Sequence, residues 1–413
     1  MTFPSKCLAR QSSSPRPLVD PLLQDLSDPQ RLYFHYYSNR VCKDLIGHDF
    51  SDRNPFRNLL PFTPTHPLLQ QVIIAASAAH MYNQARRWVA SESFERQESP
   101  RNVMMDALVA KHKALQLMPS AIANIDTVGS DIVLTAALFL VNVELLESGK
   151  HCWKPHLEGA ARILSLIQPL TLFDETLKDY IMSDCIVYSI LSLTFNASRG
   201  GLSAFLDSYQ ALPILERTAN SYLCCPPELL NILLAASKLP DTMSGEAISD
   251  GVVEGTGAAF LEQARNVDLV SWANKLHEQD TIRSRFLAGS AHQLAALLYV
   301  LQVVPSLESW IADGVVHTLL DGLHETLSHM PDEDPNFKAT AWPSFVLGAT
   351  TQSLERQSWV MDRLKRMTIV FPWGFVYSAI DTLKVLWGLG QQERRSKSWV
   401  RTLRDLDVNF LIV

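Results

Sequence analysis

The sequence predicts an all-α fold, an irregular multi-helix assembly of about 12 or more helices. Three observations carry that expectation. Apolar residues recur at spacings of three and four through most of the chain. No sustained alternation of apolar and polar residues demands a strand. A capping residue followed by proline recurs where apolar stretches begin, which satisfies an orphan N–H and presets φ in the first turn. No short fixed-period repeat is present, so the helices do not form a regular solenoid.

Residues 1–27, with Ser12, Ser13, Ser14, Pro15, Pro17 and Pro21, read as a flexible lead-in, and 28–413 as the helical domain. Asp28-Pro29 marks the first helix start, with Asp28 as its N-cap. Leu32, Tyr33, Tyr36, Tyr37, Arg40 and Val41 follow at helical spacing. Asn54-Pro55 opens a compact stretch to Pro61. Thr65-His66-Pro67 starts an apolar helix to about Trp88, in which Ala75, Ala76, Ala78 and Ala79 let a neighbour approach closely. Ser99-Pro100 starts a helix with Met104, Leu108, Leu115 and Leu117 on one side and Lys111 and Lys113 elsewhere, stopping near Pro119. Residues 130–147 are apolar nearly all round, as a helix surrounded by others must be. Leu134, Leu138 and Val141 or Leu145 share one face there, and Gly149 ends the helix. Helices over 153–166 and 173–196 follow, the second closed by Gly200-Gly201. Later helices are expected over 227–238, 257–278, 283–303, 308–329, 342–369, 374–388 and 396–406. Between them lie a Gly/Ser/Asp loop over 240–257 and an acidic turn over 331–335.

Composition narrows the function classes. The 413 residues are 47% hydrophobic and 19% charged, ample for a large core and unlike a disordered chain. Net charge is −7, the sign opposite to that of a stand-alone nucleic-acid-binding domain. The one basic stretch, 355–404, holds Arg356, Arg363, Lys365, Arg366, Lys384, Arg394, Arg395, Lys397, Arg401 and Arg404, and reads as a solvated helix face. Cysteines stand at 7, 42, 152, 185, 224 and 225 with no CxxC pair, usage that fits a reducing compartment. Residues 1–16 lack the apolar core of a secretory signal, and no uninterrupted apolar run reaches about 18 residues. The expectation is a soluble intracellular protein without membrane contact.

Catalytic and metal signatures are missing from the sequence. His324 and His329 are five apart, about 500° round a helix, so they diverge where an i, i+4 pair would share a metal. Gly255-Thr256-Gly257 is a lone GxG without a preceding strand or a P-loop lysine. There is no GxSxG elbow and no kinase signature. Trp153 and His156 share a helix face and read as a half-buried histidine beside a core tryptophan, the alternative being the frame of a ligand. Trp342, Trp359, Trp373, Trp387 and Trp399 crowd the last quarter, where large rings staple helices to the body or stack a planar ligand. No catalytic, DNA-binding or metal residues are assigned, no cofactor is expected, and no effector-binding residue can be named.

Four ordered segments carry a family likeness. They are Leu32–Tyr37; Asn54–Pro61 continuing through His66–Leu69 into Ala75–His80; Ala107–Leu117 followed by Asp131–Gly149 and Trp153–Ala160; and Trp342–Gly348 with Arg356, Val385–Trp387 and Trp399. Across about 28–405 the chain resembles the fungal-specific transcription factor domain that follows a binuclear zinc-cluster DNA-binding module. The resemblance implies an all-α regulatory region that receives signals and contacts partners. The family's zinc cluster needs six cysteines in a short basic segment, and upstream of the match stands Cys7 alone. The expectation is therefore a nuclear transcriptional regulator of a metabolic gene set, not an enzyme, that does not bind DNA by itself. It would act through protein partners (itself or a DNA-binding regulator) or a small-molecule effector. The alternative is a helical interaction or scaffold protein with no transcriptional role.

Overall fold

The computed structural model describes residues 26–50, 53–88, 100–150, 152–166, 173–195, 206, 211–239, 250–276, 279–309, 314–389, 398–406 and 409–413. Most of the expected lead-in, the Gly200-Gly201 stop and most of the 240–257 loop lie outside them. Among the described residues the regular elements are helices. One isolated antiparallel bridge joins Ile46 to Ser221.

α1 spans Asp28–Tyr36 and runs on through a π turn, Tyr37–Val41. Its N-cap is Ser27 rather than Asp28, because Gln30 reaches back: its carboxamide oxygen accepts from Ser27 N at 3.1 Å and Ser27 Oγ at 3.0 Å. Asn54 caps the 3₁₀ segment Pro55–Phe62 by accepting from Phe56 N, as its sequence predicts. α2 spans Pro67–Trp88.

α3 spans Pro100–Ala123 and corrects two expectations. It runs through Pro119, which lies on its solvent side. Its core face is Val103, Ala107, Ala110, Ala114 and Ala121, while Leu108, Leu115 and Leu117 are exposed. The reason lies in the partner: α3 packs mainly on α2, whose Ala75, Ala76, Ala78 and Ala79 are buried, so two small-residue faces meet and the leucines turn outward.

α4, Ser130–Glu147, is the centre. Every residue from Asp131 to Leu146 is buried, and α2, α3, α5 (Trp153–Leu166) and α6 (Glu175–Phe195) surround it. It ends as predicted at Gly149, whose φ is +66° and whose N–H bonds Glu144 O at 2.7 Å. A side chain there would also meet Phe375 Cβ at 2.8 Å.

The second half begins with α7 (Ala211–Arg217), which sequence reading missed, and α8 (Pro227–Ser237). α9 covers Asp250–Arg265 and therefore takes in the Gly255–Gly257 pair expected in a loop. Gly257 is accommodated there because Leu307 lies where its Cβ would be, at 2.8 Å. α10 (Leu269–Ala273) starts separately because Asp268 caps it, accepting from Ser271 N at 2.9 Å. α11 (Gln279–Val303) is the core helix of this half. By length and composition Thr281–Val303 could cross a membrane, but it carries Arg285 and His292 fully buried and packs on α8, α9, α10, α12 (Val315–Ser328) and α13 (Ala341–Thr350). The single helix expected over 342–369 is two, α13 and α14 (Leu354–Val370), split where Ser353 caps α14. α15 (Gly374–Gly388) and α16 (Trp399–Asp405) follow, and Phe410–Val413 is buried, with Leu411 N bonding Gly149 O at 2.8 Å.

Candidate functional site

A concavity lies where α6, α7, α8 and α10 meet, about 410 Å³ of empty space including its open mouth. Ser183 and Val187 of α6 form one wall, the turn Thr218–Cys225 another, and Trp272 and Lys275 close it. The turn is pinned from outside: Gly47 N bonds Asn220 O at 2.9 Å, and Asn220 exchanges side-chain hydrogen bonds with the His48 backbone, both 2.8 Å. Cys224 takes a left-handed backbone, φ +47°, the one non-glycine to do so among the described residues. Such a conformation costs about 1–3 kcal/mol and persists only where surrounding contacts fix it.

Trp272 is held by Arg285. That fully buried guanidinium sits 4.3 Å from the indole centroid and donates to the carbonyls of Ala219, Ala273 and Trp272. One atom of the lining, Ser221 Oγ, is buried without a partner, and outside the lining both carboxyl oxygens of Asp184, next in sequence to Ser183, are buried without one too. Burial pushes the Asp184 carboxyl well above the usual carboxylate range. Burial likewise pushes the Cys224 thiol up to about 11 and raises Cys225, so neither is an activated nucleophile. Of the two unpartnered groups only the Ser221 hydroxyl belongs to the pocket, where its unmet hydrogen-bonding capacity carries a cost.

A second buried polar group joins the two ends of the described chain. His80 Nε2 donates to Asp44 Oδ2 at 2.9 Å, Trp373 Nε1 donates to the same oxygen at 2.9 Å, and Tyr36 Oη lies 2.9 Å from His80 Nδ1. Burial alone would raise the Asp44 carboxyl, but the hydrogen bonds from His80 and Trp373 and the charge of Lys338 hold it below the usual range. These bonds are all internal, so the group is a joint and presents nothing to a ligand.

The features singled out in the sequence divide accordingly. Trp153 is buried and His156 half-buried beside it, with its pKa lowered by burial. His324 packs edge-on against Trp359 at 4.4 Å, while His329 bonds Glu325 O of its own helix. Trp373, Trp387 and Trp399 donate to Asp44, Gly348 O and Thr350 Oγ1, which fits stapling and not a stacking platform. In the basic stretch Arg356 pairs with Asp321, Arg366 with Asp332, Lys365 with Asp362 and Lys384 with Asp381. Arg363 departs from the solvated-face reading. It is buried, bonds Leu327 O, Thr340 Oγ1 and Ser344 Oγ, and burial pushes its pKa down to about 9. Arg394, Arg395 and Lys397 lie outside the described residues. Sequence reasoning missed Asp184, Arg285 and the 218–225 turn. One signal was available, since Asp184 is the one charged residue between Tyr180 and Phe195 of α6.

The described residues form a helical body whose polar interior serves packing, with an open pocket at a junction of four helices. The family comparison makes that specific: the model of the fungal specific transcription factor domain matches residues 31–413, and the chain belongs to that family. It is thus a fungal transcription regulator and not an enzyme. It is similar to the acriflavine sensitivity control protein acr-2 of Neurospora crassa, 33% identical over 425 aligned residues that cover 96% of this chain and 69% of that protein. It is also similar to sterol uptake control protein 2 of Candida albicans, 29% identical over 174 residues, or 38% of this chain and 22% of that protein. No solved structure matches.

Proposed function

We propose that residues 28–413 act as one domain of a nuclear transcription regulator, the part that receives a small effector and contacts protein partners, while another module or polypeptide holds the promoter. The observation that carries this is the state of the basic stretch. Of the seven cations of that stretch among the described residues, Arg356, Lys365, Arg366 and Lys384 each face an aspartate and Arg363 is buried, which reduces what these five offer to phosphates. The two relatives are named for control of acriflavine sensitivity and of sterol uptake. By extension, the gene set under this chain's control handles small organic compounds, and the pocket beside Ser221 is where such an effector docks. Chromatin occupancy of the tagged native chain tests the reading. Enrichment at a defined set of promoters is expected, together with no sequence-dependent mobility shift by the purified chain. Absence from chromatin would favour the scaffold alternative, and a salt-sensitive, sequence-specific shift would place DNA contact in this chain.

A further inference from the structure

The outward face of α3 carries a second apolar stripe, separate from the alanine face that packs on α2. Met105, Leu108, His112, Leu115, Pro119 and Ile122 follow one another at spacings of three, four, three, four and three. All six are exposed, Met105 and Ile122 by 57% and 50%. At about 100° per residue they fall within one band of the helix, opposite Ala107, Ala110 and Ala114. A 3-4 spacing is the seam of a helix pair, and such a seam left open on a helix that already has its core face filled is an unpartnered surface among the described residues.

We propose that the occupant of this seam is the same stripe of a second copy, packed antiparallel about a two-fold axis. The register is self-complementary. Folding the stripe back on itself about a point between Lys113 and Ala114 puts Met105 opposite Ile122, Leu108 opposite Pro119 and His112 opposite Leu115, each pair counted twice by the symmetry. An isologous interface requires that property of a surface. The charge pattern agrees. The seam holds no Lys, Arg, Asp or Glu, and Val109 and Gln116 flank it on one side. Lys111, on the other flank, is already neutralised by Glu144 and Glu147, both 2.8 Å away, and the two-fold places it against the partner copy's Met118. Like charges therefore do not meet anywhere along the pair. The seam runs about 26 Å along the helix. That is at the small end for a specific interface, so the dimer is concentration-dependent.

This inference names one partner within the partner-contacting role proposed above and rests on it. The test uses the full chain. Sedimentation equilibrium should show the average mass moving from monomer towards twice that value as concentration rises. Leu115→Glu should weaken association at least tenfold, and Lys113→Glu, off the seam, should leave it unchanged. Both sites are exposed, so matching circular dichroism should confirm that the variants fold. Register is read by disulfide cross-linking with Cys7 and Cys152 replaced by serine. A mixture of Met105→Cys and Ile122→Cys chains should cross-link, while Met105→Cys alone should not, because its two copies lie at opposite ends. A chain that stays monomeric, an association indifferent to Leu115→Glu, or cross-linking of Met105→Cys alone would each overturn the proposal. None of those results would touch promoter occupancy, which decides the regulator reading separately.

Discussion

Gly374→Ala should be among the most damaging single-methyl additions in this protein. Gly374 opens α15 directly against the C-terminal carbonyls of α4. A Cβ there would lie 2.3 Å from Glu147 O, 2.4 Å from Leu146 O and 2.5 Å from Glu147 C, whereas real Cβ contacts stay beyond 3.0 Å. The clash is backbone on backbone, so no rotamer relieves it, and α15 must withdraw by about 0.7 Å (3.0 less 2.3). That shift disturbs a tied junction. Asn83 Nδ2 donates to both Leu146 O at 2.6 Å and Pro372 O at 2.9 Å, and Ser378 Oγ donates to Ser148 O at 2.6 Å. Overpacking costs about 1–3 kcal/mol and each of the three weakened hydrogen bonds about 1 kcal/mol, so the total is about 4–6 kcal/mol. That is a large share of the roughly 5–15 kcal/mol that holds a domain folded. The paired control is Gly255→Ala in α9, where a Cβ meets nothing within 4 Å. Helix propensity alone should make that change stabilising by about 0.5–1 kcal/mol. Urea unfolding followed by circular dichroism should move the two midpoints in opposite directions. A Gly374→Ala chain that unfolds with the wild type, or a Gly255→Ala chain that unfolds earlier, would refute the packing argument.

Leu138→Asp places a carboxyl at a fully buried position of α4 and should cost more than about 4 kcal/mol, collapsing soluble yield, while Lys150→Asp in the turn beyond should be nearly silent by the same expression assay. Arg363→Leu strands three buried acceptors and should lower stability by about 3 kcal/mol; Arg363→Lys should not rescue it, since an ammonium lacks the fork that reaches Leu327, Thr340 and Ser344 together, and thermal melts of the two variants check this. Asp184→Asn should stabilise in a pH-dependent way. The folded-state pKa of Asp184 lies above its unfolded value of about 3.9, so the native state holds the extra proton and stability falls as pH rises from there. The variant's gain in melting temperature should be absent near pH 3–4 and grow towards neutrality, and a gain constant with pH would exclude the mechanism.

What could be read from the sequence follows from what a linear pattern contains. α4 was legible residue for residue because an all-round apolar helix has few alternatives to a central position, and Gly149 marks its end with a conformation that suits glycine. The start of α9 was not, since Gly251, Gly255 and Gly257 look like loop residues until Leu307 is seen packed against one of them. The break between α13 and α14 carries no proline or glycine, and Ser353 signals a cap only once the helix is known to stop. On α3 the leucines outweighed the alanines in any reading of amphipathicity. The deciding fact was the alanine face of α2, which lies elsewhere in the sequence.

The same reasoning explains why the family likeness preceded any site. Two of the four segments that carry the likeness meet at an internal joint. Tyr36 and His80 come from the first two, while Asp44 and Trp373, which complete the joint, stand outside all four. Asn83 of α2, just beyond the second segment, holds the end of α4 in the third. A joint leaves a sequence trace because several separated residues must be present together. The pocket leaves little, because Ser221 of its lining and the Arg285 that holds its Trp272 wall are ordinary polar residues until burial removes water from them. A chain in this family can therefore keep its frame while changing the wall of its pocket. Substitutions at Ser221 or Glu216, both lining the pocket, should alter effector response with little loss of stability, and substitutions at His80 or Asn83 should do the reverse. Measuring thermal stability and reporter output on both pairs separates frame from reader: loss of stability from Ser221→Ala as large as that from Asn83→Ala would mean that the pocket is part of the frame and receives nothing.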